Sequence, residues 1–177
     1  MVVPGIDIGK RELFVSLQEA QPGGEVRVLG KRGPIANTTT GLHDLTTWLH
    51  KRTSEDVRVV MEATNVYWER CAHHFHALGA AVSVVNPAQI KYFARSVLRR
   101  GKTDAMDAEI IARYGLVMQP RCWAPPSTTL IDLKQLTRER ESVLGRRTQE
   151  HNHLIALRDA YHASSVAVTL AAQRLDT

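Results

Sequence analysis

The first third of the chain alternates short apolar runs with turn residues, which is the pattern of β-strands. "VVPGIDIG" is apolar and punctuated by glycine, "ELFVSLQE" alternates apolar and polar positions, and "VRVLGKR" follows the turn "QPGGE". The pattern therefore predicts three consecutive strands connected as a β-meander.

Helical and strand patterns alternate in the next third. "NTTTGLHDLTTWLHKR", "NVYWERCAHHFHALG" and "PAQIKYFARSVL" have helical periodicity, and Gly79 and Pro87 suit a helix end and a helix start. "VRVVMEA" and "AAVSVVN" are continuous apolar runs, typical of strands buried on both faces. The order predicts an α/β fold in which helices flank a mixed sheet.

The last third is helical in pattern and is preceded by a proline-rich break, "PRCWAPPS". Beyond the break, leucine and valine recur at three- and four-residue steps among many charges, which predicts a long, coiled-coil-like helix. We expect a first domain over residues 1–120 and a helical extension over residues 121–177.

Composition narrows the class of protein. The chain has 177 residues, 44% of them hydrophobic, so it can form a real core, and its net charge of +5 favours an anionic partner such as nucleic acid. The two cysteines are far apart, no apolar run approaches the roughly 20 residues of a membrane span, and the N-terminus lacks a signal-peptide pattern. These observations predict a cytoplasmic protein.

Four acidic residues stand where a metal site could form. Asp7 and Glu62 end predicted strands, and Asp104 and Asp107 share one face of a predicted helix. If that helix packs over the sheet edge, the four carboxylates converge and require cations. Hard oxygen ligands select Mg²⁺ or Mn²⁺, and two such ions about 3.5–4 Å apart could clamp a phosphodiester.

Each acid also has an ordinary structural explanation. An Asp between glycines often forms a turn, a Glu at a strand end is often solvated, and acids at a helix start cap it. The element order favours convergence of the four over these separate explanations.

Basic and aromatic residues adjoin these acids. We expect phosphate contacts from a run of cations on and after the third helix, although a solvated helix face is the alternative. The cations are Lys91, Arg95, Arg99, Arg100 and Lys102. Tyr92 and Phe93 are expected to pack in the core rather than on bases. One helix cannot place His73, His74 and His76 on one side, so we expect no zinc site there.

The motifs "GIDIGK", "VVMEATNVYWE", "VSVVNPAQIKYFARS" and "KTDAMDAEIIARYG" resemble the N-terminal domain of insertion-sequence-110-type transposases. This family, also called DEDD transposases, includes the Piv-like DNA invertases. The resemblance covers about residues 3 to 158, with the motifs in the family's order and spacing.

The resemblance implies a RuvC-like, RNase H-like fold whose catalytic and metal-binding tetrad is Asp7, Glu62, Asp104 and Asp107. It also implies site-specific DNA recombination with Mg²⁺ or Mn²⁺, and a homodimer or higher oligomer through the C-terminal helix. In some members a structured guide RNA specifies the DNA sites, which makes RNA a second candidate partner. We therefore expect a prokaryotic protein that associates with the nucleoid when it is bound to DNA.

Two departures from the family pattern matter. Members commonly carry glycine where this chain has Asn65, in the turn "EATNVY". Asparagine tolerates a positive φ, so we expect this turn to survive. The family also continues into a second domain with a serine nucleophile, and this chain ends before it. We therefore expect a fragment that cannot complete recombination alone.

Two other classes are weighed against this one. Actin-like and sugar-kinase ATPases also begin with a strand, an Asp and a glycine, but they need a second glycine-rich phosphate loop that the sequence lacks. A non-catalytic nucleic-acid-binding or dimerisation module remains open, because the second domain is absent.

Overall fold

A mixed five-stranded sheet forms the centre of the first of two structural units, Met1–Pro125 and Pro126–Thr177. The computed structural model describes residues 1–97 and 103–175. The strands are β1 (Val2–Ile8), β2 (Glu12–Ala20), β3 (Val26–Ala36), β4 (Arg58–Glu62) and β5 (Ala81–Val85). Their spatial order is β3-β2-β1-β4-β5; β1–β2 and β2–β3 are antiparallel, and β1–β4 and β4–β5 parallel. The predicted meander and crossover strands are confirmed.

In the described part of the first unit four helices cover the sheet, and local chemistry defines where they begin. They are α1 (Thr39–His50), α2 (Glu69–Ala77), α3 (Pro87–Ser96) and α4 (Asp104–Met118). Thr38, Asn86 and Thr103 each precede a helix and accept a hydrogen bond from a backbone N–H of its first turn. Helix α2 begins later than its pattern suggests, because the preceding residues form a turn in which Asn65 has the positive φ of 51° expected for it.

The sheet separates two cores because successive side chains of a strand point to opposite faces. On one face Ile6 and Leu13 pack with Leu42, Leu45 and Phe75 of α1 and α2. On the other face the strands pack against α3 and α4; that core includes Val3, Val60, Ile90, Ile111 and Tyr114.

Helix α4 lies directly on β1 because small residues line their contact. A Cβ atom added at Gly5 would overlap the backbone of Ala108 and Ala112, and one added at Gly115 would lie 2.6 Å from the Val60 side chain. Glycine at these positions therefore permits an approach that any other residue would block. The close contact fixes the first turn of α4 above the end of β1.

The segment after α4 is hydrogen-bonded to the outer edge of β5. The Trp123 N–H donates to the Val82 carbonyl oxygen at 2.7 Å, and Ser83 Oγ and Arg58 Nη1 donate to the Pro120 carbonyl oxygen at 3.0 and 3.3 Å. The Trp123 ring meets Trp68 of the first unit edge to face. The chain from Pro120 to Trp123 thus completes the β5 side of the sheet.

Within residues 126–175 the second unit contains two helices, α5 (Thr128–Asp159) and α6 (Ser165–Gln173). Helix α5 is the predicted long helix and continues for 32 residues through Gly145. Leu154 is its one buried residue, and Ala171 is buried in α6. Several large apolar side chains of α5 are exposed instead: Leu130, Leu133, Leu136, Val143, Leu144 and Ile155.

Among the residues that the structure describes, no helix is both long enough and apolar enough to cross a membrane.

Candidate metal centre

Asp7 and Glu62 lie at the carboxyl ends of two neighbouring strands, Asp7 as the last residue but one of β1 and Glu62 as the last residue of β4. Strands β1 and β4 are parallel, with Ile6 level with Met61, so the next residue of each strand is the acid. Successive side chains of β1 alternate between the two faces of the sheet, so Asp7 lies on the same face as Val3 and Gly5. This is the face that α4 covers. The carboxyl ends of these strands therefore present two acids at one edge.

The first turn of α4 brings two more acids to this edge. Thr103 caps the helix, its Oγ1 accepting from the Met106 N–H at 3.3 Å, and Asp104 and Asp107 follow in the first turn. Carboxylate oxygens of Asp7, Asp104 and Asp107 all lie within 4.8 Å of one another. The three aspartates thus form one cluster, with Glu62 beside it on β4.

Burial and mutual repulsion raise the pKa of Asp7 from 3.8 to about 6. Burial is the largest cause, and the charges of Asp107, Asp104 and Glu62 follow; a hydrogen bond from the Ile8 backbone lowers the pKa. Burial and the neighbouring carboxylates therefore disfavour the charged form of Asp7.

Asn37 connects the loops that follow the two acid-bearing strands. Its Nδ2 donates to the carbonyl oxygens of Gly9 and Tyr67, each at 3.1 Å. Its backbone N–H donates to the carbonyl oxygen of Arg11 at 2.8 Å. The residue is buried, and Arg70 donates to its carbonyl oxygen. Sequence analysis missed Asn37, because its contacts depend on loops that meet only in the folded chain.

The donor set fits a hard divalent cation. The clustered ligands are carboxylate oxygens from two rigid elements, which suit Mg²⁺ or Mn²⁺ better than softer metals. The three histidines of α2 lie elsewhere: His73 and His76 meet Trp123 edge on, and His74 contacts Thr46 and His43.

The predicted phosphate-contacting cations divide into two groups. Lys91 and Arg95 are exposed on α3, whereas Arg99, Arg100 and Lys102 lie outside the described residues. The prediction that Tyr92 packs in the core is wrong, since the side chain is 66% exposed. Helix α3 contacts the core through Ile90 and Phe93, so the face with Lys91, Tyr92 and Arg95 points away.

Comparison with known families gives one match over most of the chain. The family model for DEDD-type IS110 proteins, described as "Transposase", matches residues 4–163. The "Pilin gene-inverting protein" of Moraxella bovis is 38% identical over 109 residues, and that of Moraxella lacunata has the same identity. The alignment covers 60% of this chain and 34% of each relative, so the chain spans about a third of the curated relatives it matches.

Solved structures show the same fold at low sequence identity. Thermus thermophilus RuvC is 16% identical, with a TM-score of 0.52 for the protein alone and 0.51 for its complex with a Holliday junction substrate. Each match covers 70% of this chain and all of the RuvC chain. The predicted RuvC-like sheet, followed by a long helix, is confirmed.

Proposed function

Because the chain belongs to the IS110 family of DEDD transposases, we propose that its first unit is a divalent-metal-dependent domain for DNA transposition or site-specific recombination. The observation that carries the proposal is the cluster of three aspartates from β1 and α4 within 4.8 Å. Such a cluster is suited to bind a cation, and a cation at this position could act on a phosphodiester.

The proposed ligands, and catalytic residues, are Asp7, Glu62, Asp104 and Asp107. A bound Mg²⁺ or Mn²⁺ would polarise a phosphate oxygen and lower the pKa of the attacking group. Asp7 contributes an acid fixed by a sheet strand, while Thr103 orients the helix turn that carries Asp104 and Asp107. Asn37 holds the loops beyond Asp7 and Glu62 together, which limits how far these two acids can separate.

The proposed partner is DNA. The "gene-inverting" name of the Moraxella relatives and the junction-bound RuvC structure support it. Exposed Lys91 and Arg95 are proposed to contact phosphates, together with Arg99, Arg100 and Lys102. A guide RNA is a further candidate partner, as in some family members. The exposed apolar residues of α5 support self-association, in line with the proposed homodimer or higher oligomer.

A calorimetric titration of Mn²⁺ and of Mg²⁺ into the full chain tests the metal site. The Asp104→Asn, Asp107→Asn variant should lose binding while keeping the wild-type circular dichroism spectrum. The control is Asp132→Asn, Asp159→Asn, which removes two acids from α5 and should bind metal like the wild type. Equal binding by all three proteins would reduce Asp104 and Asp107 to helix-capping residues and refute the proposal.

A non-catalytic DNA-binding and dimerisation module is the second candidate, and the exposed apolar side chains of α5 favour it. Metal-dependent nicking of labelled DNA by the wild type, and not by the Asp7→Asn variant, would establish catalysis. Metal and DNA binding without any nicking would establish the module.

A further inference from the structure

A small cavity lies beside the acid cluster. It has a volume of about 180 Å³, and its lining includes Phe14, Lys31, Arg32 and Ala105. Ala105 stands between Asp104 and Asp107 in the first turn of α4, and Phe14 is the residue of β2 opposite Asp7. The cavity therefore opens next to the proposed metal ligands, on the β3 side of the sheet.

A second cavity shares the lining residue Arg32 with the first. It has a volume of about 310 Å³ and is lined by Arg32, Asp44, Thr47, Trp48 and Lys51. Because Arg32 borders both cavities, they adjoin at this residue of the edge strand β3, with the first beside the start of α4 and the second beside the last turn of α1, on the opposite face of the sheet. We call this feature the β3 groove.

The β3 groove is mainly cationic. Lys31, Arg32 and Lys51 line it, and among its described lining residues Asp44 alone is acidic. Arg32 Nη1 donates to the main-chain carbonyl oxygen of Asp44 at 2.9 Å, which orients the guanidinium without neutralising it. Among the described residues Arg32 has no ion pair with a carboxylate, whereas Lys31 pairs with Glu109 of α4.

Phe14 is the aromatic side chain that borders the cavity nearest the acid cluster, whereas Trp48, at the second cavity, is largely buried in the core. Gly33 has no side chain, so the Phe14 ring lies against its backbone. Trp48 forms part of the second cavity, and the guanidinium of Arg52 lies 4.1 Å from the centre of its ring. Cationic side chains beside an aromatic ring are typical of surfaces that bind single nucleic-acid strands.

We propose that the β3 groove binds the DNA strand that continues from the phosphate held at the acid cluster. This inference rests on the proposed function, since the acid cluster defines where the strand starts. Arg32 and Lys51 bind successive phosphates, and Phe14 supports the sugar or base next to the reacting position. The groove thereby sets the direction in which the strand leaves the metal centre.

Fluorescence anisotropy with a short labelled DNA single strand tests the groove. The Arg32→Ala, Lys51→Ala variant should bind about tenfold more weakly, and the slope of log affinity against log salt should fall by about 1.4, for two lost phosphate contacts. The charge-matched control is Arg27→Ala, Arg113→Ala, two exposed arginines outside the groove lining. It should stay within about twofold of wild type, as should the charge-preserving Arg32→Lys, Lys51→Arg.

Calorimetry of the same variants separates this inference from the proposed function. Wild-type Mn²⁺ affinity in the Arg32→Ala, Lys51→Ala variant, together with weaker DNA binding, supports the groove. Equal loss of DNA affinity in groove and control variants would show a general charge effect and overturn it. Weakened binding of an RNA of the same sequence, with DNA binding unchanged, would overturn it as well. Loss of Mn²⁺ binding in the Asp104→Asn, Asp107→Asn variant tests the metal site independently.

Discussion

Helices α4 and α5 differ in what holds them in place. In its 15 residues α4 buries seven side chains or glycines and contacts β1 backbone to backbone, whereas α5 buries Leu154 alone in 32 residues. Most helical stability in proteins comes from tertiary packing of this kind. Helix α4 is thus an integral part of the first unit, and the stability of α5 depends mainly on its own sequence, on α6 and on any partner helix.

The largest effect is expected from adding one methyl group at the α4 contact. Gly5→Ala should destabilise the first unit by about 3 kcal/mol or more, because the new Cβ overlaps the α4 backbone. All three tryptophans lie in this unit, so denaturant unfolding followed by tryptophan fluorescence reports on it. An unfolding midpoint at the same denaturant concentration as that of the wild type would contradict the close contact between α4 and β1.

The charge of Asp7 provides a second test of the contact between β1 and α4. Its pKa is about 6 when folded and near 3.8 when unfolded, so the folded state holds the proton more tightly. The stability of the metal-free protein should therefore fall as pH rises from about 4 to 6. Asp7→Asn should stabilise the metal-free protein at pH 7 by about 1–2 kcal/mol, a value reduced for partial solvent screening.

This Asp7 prediction is checked by unfolding both proteins in EDTA across the pH range. The difference between wild type and variant should vanish below about pH 4. The same variant should lose the stabilisation that Mn²⁺ gives the wild type. A difference that does not change with pH would show that Asp7 is not strained in the folded state.

Gly145→Ala is the counterpart of Gly5→Ala on α5, and its effect should have the opposite sign. Apart from its chain neighbours and the backbone of its own helix, no atom of the described residues lies within 4 Å of a Cβ at this position. The substitution should stabilise α5 by about 1 kcal/mol, because alanine favours a helix over glycine. Thermal melting followed by far-ultraviolet circular dichroism measures this change. A destabilised helix would indicate that something packs against Gly145.

The smallest effect on the first unit is expected from the exposed leucines of α5. Leu133→Gln with Leu136→Gln should leave tryptophan-detected unfolding within about 0.5 kcal/mol of wild type. If α5 mediates the proposed self-association, the same variant should sediment as a smaller species. Unchanged sedimentation of an oligomeric wild type would place the oligomer interface elsewhere.

Local patterns predicted most of the fold, and contacts distant in sequence account for what they missed. Alternation and β-branched runs predicted the strands, and Asn65 has its expected positive φ because the turn needs it. The spacing of Asp104 and Asp107, with strand-end Asp7, predicted that these acids come together. The exposure of Tyr92 could not be predicted, since it depends on how α3 lies on the sheet. Asn37 and the β3 groove likewise depend on which loops and strands become neighbours.

The segment from Pro120 to Trp123 has a consequence for aggregation. An uncovered sheet edge offers backbone groups to another copy of the chain, and the Trp123 N–H bonded to Val82 occupies part of the β5 edge. At the opposite edge, β3 carries the charges of Arg27 and Lys31, which discourage strand pairing. A protein shortened to end at Gln119 should therefore aggregate through β5, whereas one that ends at Pro125 should remain dispersed.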